Sequence, residues 1–233
     1  MHGTIAAAHA AIGGAALLSF WLAALARKGS RPHRYAGRAY QWAMTGILLT
    51  APVLALAYFG RGRPQMGVFL LYLVVLVGTS VVVGPRAVRL KQDFAAFRGG
   101  IYPWLAAALL GSGAVVAGVG LWSGQSLLTV FGLVGVLRAA PMLQLPRSVM
   151  PPPGWWLREH FTAMIANGIA THVAFLGIGL RRVLPADSYE QLSRLHLAWF
   201  APLAIGLTAI VWLRLRHARR FARRRATAGA AVA

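Results

Sequence analysis

The sequence predicts an all-α polytopic membrane protein: a bundle of about seven transmembrane helices, with the N-terminus outside and the C-terminus cytoplasmic. Three observations carry this fold class. The 233 residues are 58% hydrophobic and only 12% charged, about half the charge fraction of a soluble domain, and mean hydropathy is +0.61. The apolar residues form stretches near the ~20 residues needed to cross hydrocarbon at 1.5 Å per residue. The lysines and arginines gather on alternate connections between those stretches.

The spans are expected at Thr4–Ala26, Ala39–Phe59, Met66–Val83, Ile101–Leu121, Ser126–Leu143, His160–Leu180 and Leu192–Leu213. The third and fifth are short, and only Trp122, Ser123, Gly124 and Gln125 separate the fourth from the fifth, which reads as a tight hairpin. The longest break, Gln144 to Leu157, is stiffened by Pro146 and Pro151–Pro153 and carries Trp155 and Trp156, which suit the headgroup level.

Charge sets the direction. The first connection holds Arg27, Lys28, Arg31, Arg34 and Arg38. The third holds Arg86, Arg89, Lys91 and Arg98 against Asp93, and the fifth holds Arg147 and Arg158 against Glu159. Beyond the last span lie Arg214, Arg216, Arg219, Arg220 and Arg223–Arg225. The opposite side offers Arg61 and Arg63, then Arg181, Arg182 and Arg194 against Asp187 and Glu190. The excess places odd-numbered connections and the C-terminus in the cytoplasm of a bacterial inner membrane. The first apolar run has no basic residue before it and a basic cluster after it, as an N-out anchor does and a cleaved leader does not.

Residues 1–213 thus read as one transmembrane domain and 214–233 as a basic cytoplasmic tail, a helix end followed by a disordered segment beside anionic lipid. The formal charge of +20 is explained by orientation and membrane lipids, and no nucleic-acid partner is expected. The chain has no cysteine. That excludes disulfides, iron–sulfur clusters, thiolate zinc sites and c-type haem attachment, and leaves histidine-ligated b-type haem open.

Histidines are the informative polar groups. His9, His172 and His196 are expected in the outer half at broadly similar depth, and His33 and His160 near the inner surface; His2 and His217 read as bystanders. An imidazole in lipid needs a partner. Two from different helices can ligate haem, and the set His9, His172 and His196 can instead hold a transition metal such as copper, zinc or non-haem iron. Gly13 and Gly168 offer room for a porphyrin. Twelve residues separate His160 from His172, about 120° around the axis. That phase disfavours two haems stacked along span six and favours a single outer haem, paired His9–His172 or His172–His196. Asn167 and Thr171 share a face with His160 and can serve a quinone, an ion, or simple helix contact. Carboxylates lie only at span edges or in loops. No G-x-S-x-G, H-E-x-x-H or phosphate loop is present.

His9 and Gly13 in the first helix, then Lys28, Gly29, His33, Arg34, Gly37, Arg38, Tyr40 and Met44, follow the pattern K-G-x-x-x-H-R-x-x-G-R-x-Y. In this the chain resembles a functionally uncharacterised family of bacterial multipass inner-membrane proteins. The resemblance implies a bundle of seven or eight helices and no substrate. Read alone, the loop can bind a haem propionate, a lipid phosphate or an acidic partner through charge-assisted bonds, or serve only as a topology signal.

Three functions are expected to compete. The first is a b-type haem protein passing electrons between quinone and a partner. The second is a non-catalytic accessory subunit of a larger membrane complex, or a homo-oligomer. The third is a small-molecule or metal transporter, with Pro52 and Pro202 as kinks.

Overall fold

The computed structural model describes residues 2–144, 151–180, 184–185, 187–190 and 196–230, with side chains described from 3 to 219 within those ranges. The helices are α1 (His2–Leu25), α2 (Arg31–Gly60), α3 (Pro64–Arg89), the short α4 (Phe94–Arg98), α5 (Tyr102–Trp122), α6 (Ser126–Gln144) and α7 (Trp155–Ala174). A π-helical turn at Phe175–Gly179 ends α7, and α8 runs Leu197–Ala230. Among the described residues, seven helical segments are long and apolar enough to cross a membrane. The chain is therefore a multi-pass α-helical protein of the kind found in a bacterial inner membrane. Pro146, Arg147, Arg181, Arg182, Arg194 and the expected start of span seven at Leu192 lie outside the described residues.

Several boundaries differ from the hydropathy reading, each for a local reason. The α2 helix starts at Arg31, eight residues before the expected Ala39, so the basic K-G-x-x-x-H-R motif is largely helical. Ser30 is its N-cap, accepting from the His33 backbone N–H at 3.4 Å, with Pro32 in the first turn, where a proline costs no hydrogen bond. The α7 helix likewise starts at Trp155 rather than His160, behind Gly154 in the left-handed region at φ 69°. The tail expected to be disordered continues α8 as helix to Ala230; its alanines and arginines are strong helix formers.

Two antiparallel hairpins, α1–α2 and α5–α6, flank a central pair, α3 and α7, and α8 packs on α7. In the central pair 44% of the apolar window is buried, against 11% in α1 and α2, whose outer faces meet lipid. One buried cluster joins Phe69 and Tyr72 of α3 to Leu109 of α5, Phe131 of α6, Ile169 and Val173 of α7 and Leu203 of α8. A second closes the cytoplasmic end with Val83, Phe97, Tyr102, Met142 and Trp155. There, Arg86 of α3 donates to the carbonyls of Phe97 and Gly99 at 3.1 and 3.2 Å and so fixes the end of α4.

Helices in lipid gain little from apolar burial against one another and rely on close packing. The α5–α6 hairpin meets this need with glycine. A Cβ on Gly132 would fall on the Ala117 backbone, and one on Gly120 on the Thr129 backbone, whereas Gly118 of α5 has open space. Gly132→Val is expected to cost about 1–3 kcal/mol of stability by overpacking and Gly118→Val almost none. Thermal unfolding of the two variants in the same mild detergent checks this difference.

Candidate functional site

Two histidines near the cytoplasmic end, His33 and His160, lie within electrostatic reach of each other. The α1 helix ends at Leu25 and leaves its last carbonyls without intrahelical donors. His33, in the first turn of α2, directs Nδ1 to one of these, Ala23 O, at 2.9 Å, and the Lys28 ammonium donates to the carbonyls of Ala23 and Ala24. His160, in the second turn of α7, directs Nδ1 to Gly84 O of α3 at 3.2 Å. A carbonyl can only accept, so each Nδ1 carries a proton, and in the neutral ring the lone pair is on Nε2. Neither Nε2 has a protein partner among the described residues. His160 lies within electrostatic reach of both His33 and Lys28. Both rings are half-buried.

The outer histidines do not form a layer. His9 bonds through Nδ1 to Thr50 Oγ1 at 2.7 Å, while that hydroxyl donates to Gly46 O at 2.9 Å; His9 therefore donates and keeps its Nε2 lone pair. Thr171, the neighbour of His172, meets the Tyr40 hydroxyl at 3.0 Å. Tyr40 and Thr50 are ten residues apart on α2, about 15 Å along the axis, so His9 and His172 occupy different levels. His172 also has no nitrogen to spare: Nδ1 donates to Gly168 O at 2.7 Å, and Nε2 accepts from the Trp21 indole at 3.0 Å. The porphyrin room expected at Gly168 is taken by the Phe20 ring, which packs edge-on against His172. His196 is exposed, at φ 51°, and its carbonyl accepts the Trp199 and Phe200 N–H groups that open α8. Among the described residues no three His, Cys, Asp or Glu side chains are placed to share a metal ion. The His217 ring stacks on Phe161.

Between these levels runs a buried polar seam that sequence reasoning saw only in part. Pro85, inside α3, has no N–H to give to the carbonyl four residues back, Val81 O. Gln41 of α2 fills that place, Nε2 to Val81 O at 2.9 Å. Thr171 donates to Asn167 O and lies against Met44 sulfur. The Asn167 amide is fully buried, and neither its oxygen nor its nitrogen has a hydrogen-bond partner among the described residues. An ion pair was missed as well: Arg138, inside the sixth helix, binds Glu159 at 2.6 Å. Its signal was available, because an arginine twelve residues into an apolar helix demands an acidic partner.

The fold and the histidine arrangement define a multi-pass membrane protein with paired helices around an α3–α7 core. Comparison with protein-family models, curated proteins and solved structures found no match.

The Val81 carbonyl gives a direct test of the seam. Gln41→Leu leaves it unpaired and is expected to cost about 1–3 kcal/mol. Adding Pro85→Ala restores an N–H four residues on and recovers most of that loss. A double-mutant cycle on unfolding free energies reads the coupling.

Proposed function

We propose that this chain is a b-type haem protein of the inner membrane that passes electrons between quinone and a partner, with His33 and His160 as the haem ligands. The observation that carries this reading is the matched state of the two imidazoles. Each fixes Nδ1 on a backbone carbonyl of a different helix and leaves Nε2 unpartnered, the arrangement that orients a ligating histidine and raises its basicity. Lys28 and the Arg31 and Arg34 side chains of the same turn supply positive charge for carboxylates such as propionates. The outer set fits haem poorly: His172 has both nitrogens engaged, and His9 stands a level above it.

Bound haem would supply one-electron chemistry. The protein's part is to hold the two rings in one tautomer, exclude water with the α3–α7 contact, and keep the site at the inner surface. Quinone is the redox partner that reaches such a site through lipid. The resemblance of the opening hairpin to a family of multipass inner-membrane proteins belongs to the same proposal, because the motif's histidine is His33.

A second reading, an accessory subunit of a larger complex, is favoured by one feature. The α1–α2 hairpin turns a broad apolar face outward, with Leu25, Trp42 and Leu49 more than 70% exposed, a surface as suited to another membrane protein as to lipid.

The deciding measurement is the oxidised and reduced visible spectrum of mildly solubilised protein, with pyridine-haem quantitation against polypeptide. Stoichiometric haem b is expected, lost in His33→Ala and in His160→Ala and retained in His172→Ala. Colourless protein despite ample haem supply overturns the haem reading, and stoichiometric copurification with another subunit would then favour the accessory role. Haem that survives both substitutions rejects the proposed ligands.

A further inference from the structure

Near the cytoplasmic end, Glu159 pairs with Arg138 and lies within electrostatic reach of Arg214, with Arg158 and Arg98 on neighbouring elements. Glu159 is engaged by Arg138, the two side chains being 22% and 17% exposed. Arg98, 6% exposed, donates Nη2 to Met142 O in the last turn of α6 at 2.7 Å and lies over the Tyr102 and Phe94 rings. The charges of Arg98, Arg138 and Glu159 all reach Tyr102. Arg214 of α8 donates to Thr162 Oγ1 of α7 at 3.3 Å and lies within electrostatic reach of Glu159, Arg138 and Arg158. Asp93, the nearest acid in sequence to Arg98, is occupied as the N-cap of α4, taking the Ala96 N–H at 2.8 Å.

Guanidinium does not deprotonate, so Glu159 offsets one of the charges of Arg138, Arg158 and Arg214 and leaves that group net positive. Its position selects the anion. The lysine–arginine bias puts the first turns of α7 and the last of α6 at the inner face, where Trp155 is buried beside Phe97, Tyr102 and Met142 and Trp156 packs against them. Arg158 is half-buried and Arg214 exposed, so both stand at the opening while Arg138 and Arg98 lie behind. Above Arg214 on α8, Leu207 and Val211 form an outward apolar strip, 39% and 55% exposed, at the seven- and three-residue spacings that share a helix face.

We propose that Arg158 and Arg214, backed by Arg138, bind the phosphate of an anionic phospholipid whose acyl chains lie along Leu207 and Val211. Planar guanidinium forks suit phosphate oxygens, and basic pockets between membrane helices at the cytoplasmic side take such headgroups. This inference is independent of haem.

The test places the full chain in nanodiscs of phosphatidylcholine, with or without phosphatidylglycerol, and compares melting midpoints for the protein as isolated, Arg158→Gln/Arg214→Gln, and the control Arg27→Gln/Arg89→Gln, two exposed arginines outside both sites. Phosphatidylglycerol is expected to raise the midpoint by about 3 °C in the original protein and the control. The Arg158/Arg214 variant should lose most of that rise while matching the original in phosphatidylcholine alone. An equal rise in all three proteins overturns the site. An equal loss in the control reduces the effect to general surface charge and overturns it too. Inorganic phosphate or glycerol phosphate reproducing the rise in phosphatidylcholine discs overturns the lipid as its source.

Discussion

The seam between α3 and α7 is the contact on which the rest of the structure depends. Hydrocarbon offers no water to a stray backbone group, yet Pro85 removes a hydrogen bond from the middle of this interface. Gly84, beside it, has no side chain, so Ala163 and Met164 of α7 settle against its backbone. The consequences spread to three helices. The freed Val81 carbonyl draws in Gln41 and anchors α2, while the exposed face of Gly84 O lets His160 reach across from α7. A proline that would weaken an isolated helix here becomes the place where two neighbours attach.

The histidines show how one side chain serves different ends. In lipid an imidazole must have hydrogen-bond partners, and the number of partners decides what remains for chemistry. His172 spends both nitrogens joining its own helix to Trp21 of α1, so it is structural cement between elements that otherwise touch little. His33 and His160 spend one each, on carbonyls, and hold the other in a defined tautomer. The distinction rests on whether a donor such as the Trp21 indole lies within reach of Nε2.

Basic residues likewise do two jobs. Those in the first connection set orientation and begin α2, while Arg98, Arg138, Arg158 and Arg214 converge from four helices or their margins at the inner rim. Arg138 is held within the bilayer by Glu159, which hydropathy places at a span edge but the fold places beside α6. A single carboxylate thus ties α6 to α7 and lies within electrostatic reach of Arg214 on α8.

Membrane class, span number and direction were determined by the sequence alone, because hydropathy and lysine–arginine bias act locally and read out along one dimension. The helix starts at Arg31 and Trp155 were less legible: their first turns are polar or basic, and Ser30 and Gly154 mark them more clearly than hydropathy does. Which histidines share a level was decided only by tertiary structure. His9 and His172 each lie well inside an apolar run, and counting from assumed span ends put them level. The actual levels follow from interhelical register, fixed by Thr50 against His9 and by Tyr40 against Thr171. That register is set by where glycines allow approach and where Pro85 frees a carbonyl, contacts between residues distant in sequence that no periodicity within one helix records.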